Sequence, residues 1–310
     1  MTGSRSAPDT AVRFVVLVAL VALGVLLGGG CSRFEGEPAP SPPVRELRPV
    51  QPESLPAADE PEVSTVEDST PVELTVLYDN NPPVADVSTN PPLETGWGFS
   101  CLVRRGDLTV LFDTGGDAAI LASNARALGV DFADIDALVL SHMHGDHTGG
   151  MAAVLDSGAR PTVYLPASAD RDFKDSVASR TQVVEVSGPT AIADGVRTTG
   201  EMGGGPVEQS LVVESDAGQV LITGCAHPGV LDITRTVAES GRIALLIGGF
   251  HLRDLSEPQC HDIAAQLVAL GVDRVAPTHC SGDAAGDAFS AVFGQRFVAV
   301  GVGSVIRLAE

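Results

Sequence analysis

Residues 141–150 read Ser-His-Met-His-Gly-Asp-His-Thr-Gly-Gly and bring three imidazoles and one carboxylate into six consecutive positions, as His142, His144, Asp146 and His147. A mostly apolar run at 135–140 precedes the stretch, and a segment with helical spacing at 151–155 follows it. This order predicts a strand, a tight loop and a helix. Imidazole nitrogen and carboxylate oxygen suit zinc, manganese or iron, and two adjacent ions can share such a cluster. Gly145 is expected to leave room where the backbone bends past the ions.

A histidine-rich surface turn is the alternative for this stretch. Four ligand-type residues at a strand-to-helix junction disfavour that alternative, because surface turns have no need of this spacing. The stretch therefore predicts a metal centre.

The pattern of apolar residues from position 72 onward predicts a mixed α/β domain. A strand is predicted at 72–77, a hairpin turn at 104–107 and a helix at 118–128 that ends at Gly129. Further strands are predicted at 162–165, 182–186, 210–213, 219–223, 243–247, 274–277, 296–300 and 305–308, and helices at 230–239 and 258–270.

Several other stretches share tight turns and metal-binding residue types with the first one, namely Leu77–Asn81, Gly96–Ser100, Leu111–Gly115, Thr223–His227, Ile247–Leu252 and Thr278–Gly282. With the first stretch they resemble the metallo-β-lactamase-fold hydrolases. More narrowly, they resemble the subgroup labelled as dihydropterin or ribofuranosylaminobenzene 5′-phosphate synthase-like. The resemblance covers about residues 72–310 and implies a four-layer α/β/β/α sandwich.

The resemblance also implies how the site residues are used. It assigns three ligands to each of two ions: His142, His144 and His227 to one, and Asp146, His147 and His279 to the other. Asp113 is expected to orient a ligand histidine through a hydrogen bond. His251 is expected either to contact substrate or act as an acid, or else to have a structural role. The candidates for lining the pocket are Glu208, Gln209, Ser210, Asn80, Asn81 and Trp97, with turn formation or packing as the alternative.

Cys225 departs from the family pattern. Many members have a bridging aspartate after Thr-Gly on the later strand, where this chain has Cys225. The usual histidine before that strand is also missing, since no histidine lies between His147 and His227. A thiolate from Cys225 at the bridging position would favour zinc or iron. A cysteine merely buried in the strand would leave the second ion weakly held.

The predicted chemistry is hydrolysis of a small ester, phosphoester or amide-like bond by a metal-activated water. Asp146 is expected to orient this water and carry its proton, in addition to any role as a ligand. The main alternative is a non-catalytic envelope lipoprotein that binds a metal or another ligand. A further alternative is metal–thiol redox chemistry at Cys225 and Cys280.

The net charge of the chain indicates which kinds of binding partner are favoured. Lys and Arg number 19 against 40 Asp and Glu, which gives a net charge of −21. A surface this acidic repels polyanions, so binding to nucleic acid is disfavoured while a small-molecule substrate is not.

The first 31 residues predict an export signal. Arg5 and Arg13 supply positive charge, and the apolar run from Phe14 to Leu27 is shorter than the roughly 20 residues of a membrane-spanning helix. Small residues then precede Cys31, which predicts lipidation of Cys31. An uncleaved anchor or ordinary cleavage is the alternative. Residues 32–71 are rich in proline and glutamate and predict a disordered tether, so the domain at 72–310 is expected at the cell envelope.

Overall fold

The computed structural model describes residues 71–84 and 88–308. The predicted export signal at 1–31, the lipidation site Cys31 and all but the last residue of the predicted tether at 32–71 lie outside these residues. Within the described ranges, no helix combines the length and the apolar character needed to cross a bilayer.

The first half of the domain builds a mixed sheet of seven strands. They are β1 (Val72–Asp79), β2 (Phe99–Arg105), β3 (Leu108–Phe112), β4 (Ala137–Val139), β5 (Thr162–Pro166), β6 (Val183–Val186) and, from the end of the chain, β13 (Val305–Leu308). Their order is β13-β1-β2-β3-β4-β5-β6. The strands from β3 to β6 are parallel, which leaves their carboxyl ends at one edge.

The second half builds a sheet of six strands, namely β7 (Thr190–Ala193), β8 (Val196–Thr198), β9 (Leu211–Ser215), β10 (Gly218–Thr223), β11 (Ile243–Gly249) and β12 (Arg274–Thr278). Their order is β12-β11-β10-β9-β8-β7, and β10, β11 and β12 run parallel.

Seven helices connect or follow these strands within the described residues. They are α1 (Ala118–Ala127), α2 (Gly145–Thr148), α3 (Met151–Asp156), α4 (Arg171–Ala178), α5 (Val230–Ala238), α6 (Glu257–Ala269) and α7 (Asp283–Phe293). Two of them have clear start signals: the Asp117 carboxylate caps α1, and Ser256 with Gln259 forms a capping box on α6.

Three clusters of buried apolar residues fill the spaces between the layers of sheets and helices. Leu74 and Val76 of β1 share one cluster with Val220 and Ile222 of β10, so this cluster fills the space between the two sheets. The alternate strand residue Leu77 points the other way, into a cluster with α1, α3 and α4. A third cluster joins the second sheet to α5, α6 and α7. Helices therefore cover both sheets, which confirms the four-layer α/β/β/α sandwich.

Most predicted elements are present within a residue or two of their expected bounds, but one predicted strand is absent. Residues 296–300 form no strand, because Phe297 pairs with Val275 through a single bridge before the chain turns away. Helices α4 and α7 were not predicted, and neither was the hairpin of β7 and β8. Its strands are only 4 and 3 residues long and half-buried, so they carry little apolar alternation.

Candidate metal centre

The candidate site lies where the carboxyl ends of strands from both sheets meet. Outside glycine, the described residues with positive φ are Asp113 (55°), Ala226 (56°), His251 (53°) and His279 (51°). Each follows the end of β3, β10, β11 or β12 by at most three residues. Such left-handed conformations are unfavourable for side-chain-bearing residues and concentrate at functional sites. The backbone therefore turns sharply after four of the strands around the site, namely β3, β10, β11 and β12.

Three histidines form the first group of donors. The ligand atoms of His142, His144 and His227 lie within 4.8 Å of one another. The Nε2 atom of His142 is 3.1 Å from the Nδ1 atom of His144. His142 is fully buried, whereas His144 is exposed to the cavity side. The first group therefore has one face protected by protein and one face open.

The second group contains Asp146, His147, Cys225 and His279, with ligand atoms that also lie within 4.8 Å of one another. The Asp146 carboxylate is 3.3 Å from Nε2 of His279 and 3.7 Å from Nε2 of His147. The Cys225 sulfur is 3.3 Å from Nε2 of His147. The structure thus brings together all seven residues that the sequence nominated as metal ligands.

Acceptors outside the cluster fix the orientation of these rings. His147 donates through Nδ1 to Asp113, at 2.7 Å, and His227 donates through Nδ1 to Glu208, at 2.9 Å. His279 donates through Nδ1 to the Asn80 side-chain oxygen, at 2.9 Å. A carboxylate only accepts hydrogen bonds, so the proton of His147 and His227 lies on Nδ1 and the lone pair of Nε2 points inward.

Asp113 orients a second ring through Ser141. The Asp113 carboxylate accepts from the Ser141 backbone N–H and from the Ser141 hydroxyl, both at 2.7 Å. The Ser141 oxygen is then free to accept from Nδ1 of His142, at 2.9 Å. One buried carboxylate therefore sets the tautomers of His142 and His147, which is the orienting position expected for Asp113 from the sequence.

Glu208 has a role that the sequence analysis missed. Its carboxylate accepts the backbone N–H groups of residues 224–227, at 2.9–3.0 Å, and the Nδ1 proton of His227. It does not line the pocket, since it is only 1% exposed. No local pattern marks this function, because Glu208 lies 19 residues before His227 in the sequence.

The electrostatics follow from burial and these partners. Burial alone would raise the pKa of Glu208, but His227, His142 and the backbone N–H groups outweigh it and lower the pKa to about 2. Burial, with the neighbouring His147, lowers the pKa of His142 to about 2, so this imidazole is neutral and has a lone pair for a metal ion. The pKa of Asp146 is also lowered, because contacts from His279 and His147 outweigh its burial.

Cys225 lies between the two groups rather than in only one. It belongs to the second group and also to a set with His227 and His251 whose ligand atoms lie within 4.8 Å. The Cys225 thiol donates a hydrogen bond to the neighbouring Cys280 sulfur, which raises the pKa of Cys225 and lowers that of Cys280 to about 5, with His251 also favouring the Cys280 thiolate. A thiolate at Cys225 would be within reach of donors from both groups.

Gly249, at the end of β11 between β10 and β12, leaves space for the two thiols. A Cβ atom added at Gly249 would lie 2.6 Å from the Cys280 sulfur and 3.2 Å from the Cα of Cys225. No protein atom lies within 4 Å of the Cβ that Gly145 lacks, so the expected need for space beside the ions at Gly145 stays a prediction. In the same stretch, a Cβ at Gly149 or Gly150 would collide with a backbone carbonyl oxygen.

The donor set fits a divalent ion. Nε2 of His279 is buried and has no hydrogen-bond partner, although a buried imidazole nitrogen without a partner is costly. A metal ion would satisfy this lone pair together with those of His142, His147 and His227. Imidazole, carboxylate and thiol donors within one small volume are the ligands of zinc and iron sites.

The family model of the metallo-beta-lactamase superfamily matches residues 98–279, from just before β2 to the last histidine of the cluster. The protein belongs to the metallo-beta-lactamase superfamily. Members of this superfamily typically bind divalent metal ions, in agreement with the cluster described above.

The chain is similar in sequence to one curated enzyme and in structure to one solved hydrolase. The 7,8-dihydropterin-6-methyl-4-(beta-D-ribofuranosyl)-aminobenzene-5′-phosphate synthase of Methanocaldococcus jannaschii is 24% identical over 246 residues, which are 64% of this chain and 84% of the synthase. The crystal structure of Tm1679, a metal-dependent hydrolase of the beta-lactamase superfamily, is 28% identical with a TM-score of 0.64, and covers 77% of this chain and 100% of that one.

Another solved structure shares the fold alone. The structure of a diphosphatase from the PhnP family is 17% identical with a TM-score of 0.51, and covers 77% of this chain and 97% of that one. The superfamily and subgroup resemblance seen in the sequence is confirmed by these comparisons.

Proposed function

We propose that this protein is a metal-dependent hydrolase that cleaves a small ester, phosphoester or amide-like bond. The observation that carries the proposal is the pair of donor groups with a shared thiol between them, open to solvent on one side. His142, His144 and His227 would hold one ion, and Asp146, His147 and His279 a second, with Cys225 available to both. The mixture of imidazole and thiol favours zinc, with manganese or iron as alternatives.

When bound, an ion at such a site lowers the pKa of a coordinated water to about 7 and polarises the oxygen of the bond under attack. The chain supplies the proton handling. Asp146 is ionised at neutral pH, and its side chain is 22% exposed, so it can accept a hydrogen bond from the attacking water and orient it.

His251 is placed to supply a proton to the leaving group. Its ring lies 4.6 Å from that of His227 and faces the open side of the cluster. The hydrogen bond with Cys280 raises the pKa of His251, which favours the protonated form. Asp146 would therefore orient the water, and His251 would protonate the leaving group.

The relatives support a hydrolase more than a synthase. The relative with 28% identity over its whole length is named a metal-dependent hydrolase, whereas the synthase shares 24% identity. We also propose export and lipid anchoring at Cys31, on the apolar run that precedes it. A substrate of the envelope would then differ from the phosphorylated pterin precursor in the synthase name.

The test is turnover in two ligand variants. His144→Ala and Asp146→Ala should abolish hydrolysis in a screen of phosphoesters and lactones while the circular dichroism spectrum stays unchanged. His261→Ala is the matched control, because His261 is exposed on α6 and away from the cluster. Activity retained in both ligand variants would refute the proposal.

A non-catalytic metal-binding envelope protein is the second candidate. The buried thiols of Cys225 and Cys280 favour it, because soft donors hold zinc tightly without any need for a proton acceptor. Elemental analysis and the activity screen separate the two. Tightly bound metal with no turnover of any substrate would favour the binding protein, and turnover lost with Asp146→Ala would favour the hydrolase.

A further inference from the structure

One exposed aromatic residue stands directly beside the donor cluster. Trp97 is 46% exposed, and its ring lies 4.7 Å from that of His279. The backbone around it is tightly held. Gly98 has φ of 142°, and a side chain there would collide with the Asp146 carbonyl oxygen. The indole is therefore displayed by a rigid segment next to the loop that carries Asp146.

Arg253 is fixed to the same place from the opposite side. Its guanidinium lies over the Trp97 ring, 5.0 Å from the ring centre. Its backbone N–H donates to the Cys280 carbonyl at 3.3 Å, and a side chain at Gly282 would lie 2.8 Å from its Cα. The indole and the turn after His279 thus hold the arginine in position.

The Arg253 guanidinium is left without a protein partner. Within residues 71–84 and 88–308 it forms neither an ion pair nor a side-chain hydrogen bond, whereas Arg104, Arg180 and Arg242 each pair with a carboxylate. It is also the sole Lys or Arg lining the two cavities beside the cluster, of about 570 and 210 Å³. Asp254, Asp283 and Asp287 also line these cavities, so the Arg253 guanidinium, and not the surrounding charge, would select an anion there.

The two cavities meet at this pair of residues. Trp97 and Arg253 line both, while His279 lines the larger cavity and His251 the smaller one. A molecule that reaches the cluster from either side therefore passes the guanidinium. The fork of N–H donors on arginine matches the oxygens of a phosphate or a carboxylate.

We propose that Arg253, held over Trp97, anchors an anionic group of the substrate at the entrance to the metal centre. The substrate class is then a small molecule that carries a phosphate or carboxylate beside the bond to be cleaved. The proposal rests on the proposed function, since it names the substrate class of the same site. Trp97 is a positioning residue that acts through Arg253.

The chain contains its own probe, because Trp97 is its one tryptophan. Titrating the full-length protein with phenylphosphonate, benzoate and neutral benzamide, with and without a chelator, should change the Trp97 fluorescence. In the chelated protein, phenylphosphonate or benzoate should bind about tenfold or more tightly than benzamide, because a hydrogen bond to a charged group is worth about 1.5–3 kcal/mol. The anion with the higher affinity relative to benzamide, phenylphosphonate or benzoate, shows whether the substrate group is a phosphate or a carboxylate.

Arg253→Gln should remove this preference by weakening the anion about tenfold and leaving benzamide unchanged, and Arg253→Lys should retain part of it. Arg126→Gln is the matched control, since Arg126 is exposed on α1 and has no ion pair among the described residues. Equal binding of benzamide and both anions, or unchanged anion affinity in Arg253→Gln, would overturn the proposal. This binding assay needs no turnover, so its result can be interpreted even if the protein proves not to be a hydrolase.

Discussion

Replacing Glu208 with glutamine removes a charge that the fold has built into its centre. The Glu208 carboxylate accepts four backbone N–H groups and the Nδ1 proton of His227. Glutamine keeps one accepting oxygen but turns an NH₂ group toward the N–H donors of His227. His227 can then avoid the clash by moving its proton to Nε2, which removes the lone pair needed by a metal ion.

The contribution of the ionised Glu208 to the free energy of unfolding follows from the shift in its pKa. A fall from the ordinary value of 4.5 to about 2 corresponds to roughly 3 kcal/mol, because each tenfold change in proton affinity is worth about 1.4 kcal/mol. This stabilisation is fully present above pH 4.5, since the folded state holds the ionised form more strongly than the unfolded state does. It is lost as the pH falls from 4.5 toward 2.

The assay is urea unfolding of the metal-free protein between pH 7.5 and pH 4, with zinc affinity measured separately by chelator competition. Glu208→Gln should lower the free energy of unfolding by about 3 kcal/mol at pH 7.5, and the gap to the original protein should narrow below pH 4.5. Zinc affinity should fall by about tenfold to a hundredfold.

Glu214→Gln is the matched control, because Glu214 is an exposed glutamate on β9 and should change neither quantity. The reasoning would be refuted if Glu208→Gln unfolded at the same urea concentration as Glu214→Gln and bound zinc as tightly.

Three further predictions follow from buried groups around the cluster. Burial raises the pKa of Asp79 from 3.8 to about 6, so the folded protein favours the neutral acid. The free energy of unfolding should therefore fall by up to about 3 kcal/mol as the pH rises from 4 to 6. Asp79→Asn should remove this pH dependence in urea unfolding. Gly249→Ala should cost about 1–3 kcal/mol through overpacking and lower zinc affinity, while Gly145→Ala should be tolerated. Cys225→Ala should weaken the second zinc ion by at least about tenfold in metal titrations.

Each of these has a control and a contradicting result. Asp107→Asn, at an exposed turn, should leave the pH profile unchanged, and an unchanged profile in Asp79→Asn would contradict the burial argument. Equal stability of the two glycine variants would show that the space at Gly249 is not restrictive. Cys260→Ala removes a buried thiol in α6, and equal zinc binding in the Cys225 and Cys260 variants would exclude Cys225 as a ligand.

The sequence by itself determined the local parts of this protein. Strands β1, β10 and β11 and helices α1, α5 and α6 were predicted because apolar periodicity and end signals are properties of neighbouring residues. The grouping of His142, His144, Asp146 and His147 was equally local. The short hairpin of β7 and β8 could not be predicted, because strands of three or four half-buried residues show no clear alternation of apolar and polar residues.

The tertiary structure decided how those parts support one another. Asn80 and His279 are hydrogen-bonded although 199 residues separate them, and Glu208 reaches the turn at 224–227 from the segment before β9. The place of Cys225 between the two donor groups likewise depends on the order of strands in the second sheet. Such partners are fixed only when two sheets pack with their strand ends together, because a side chain's neighbours across the fold are set by strand order and register rather than by its neighbours in the chain.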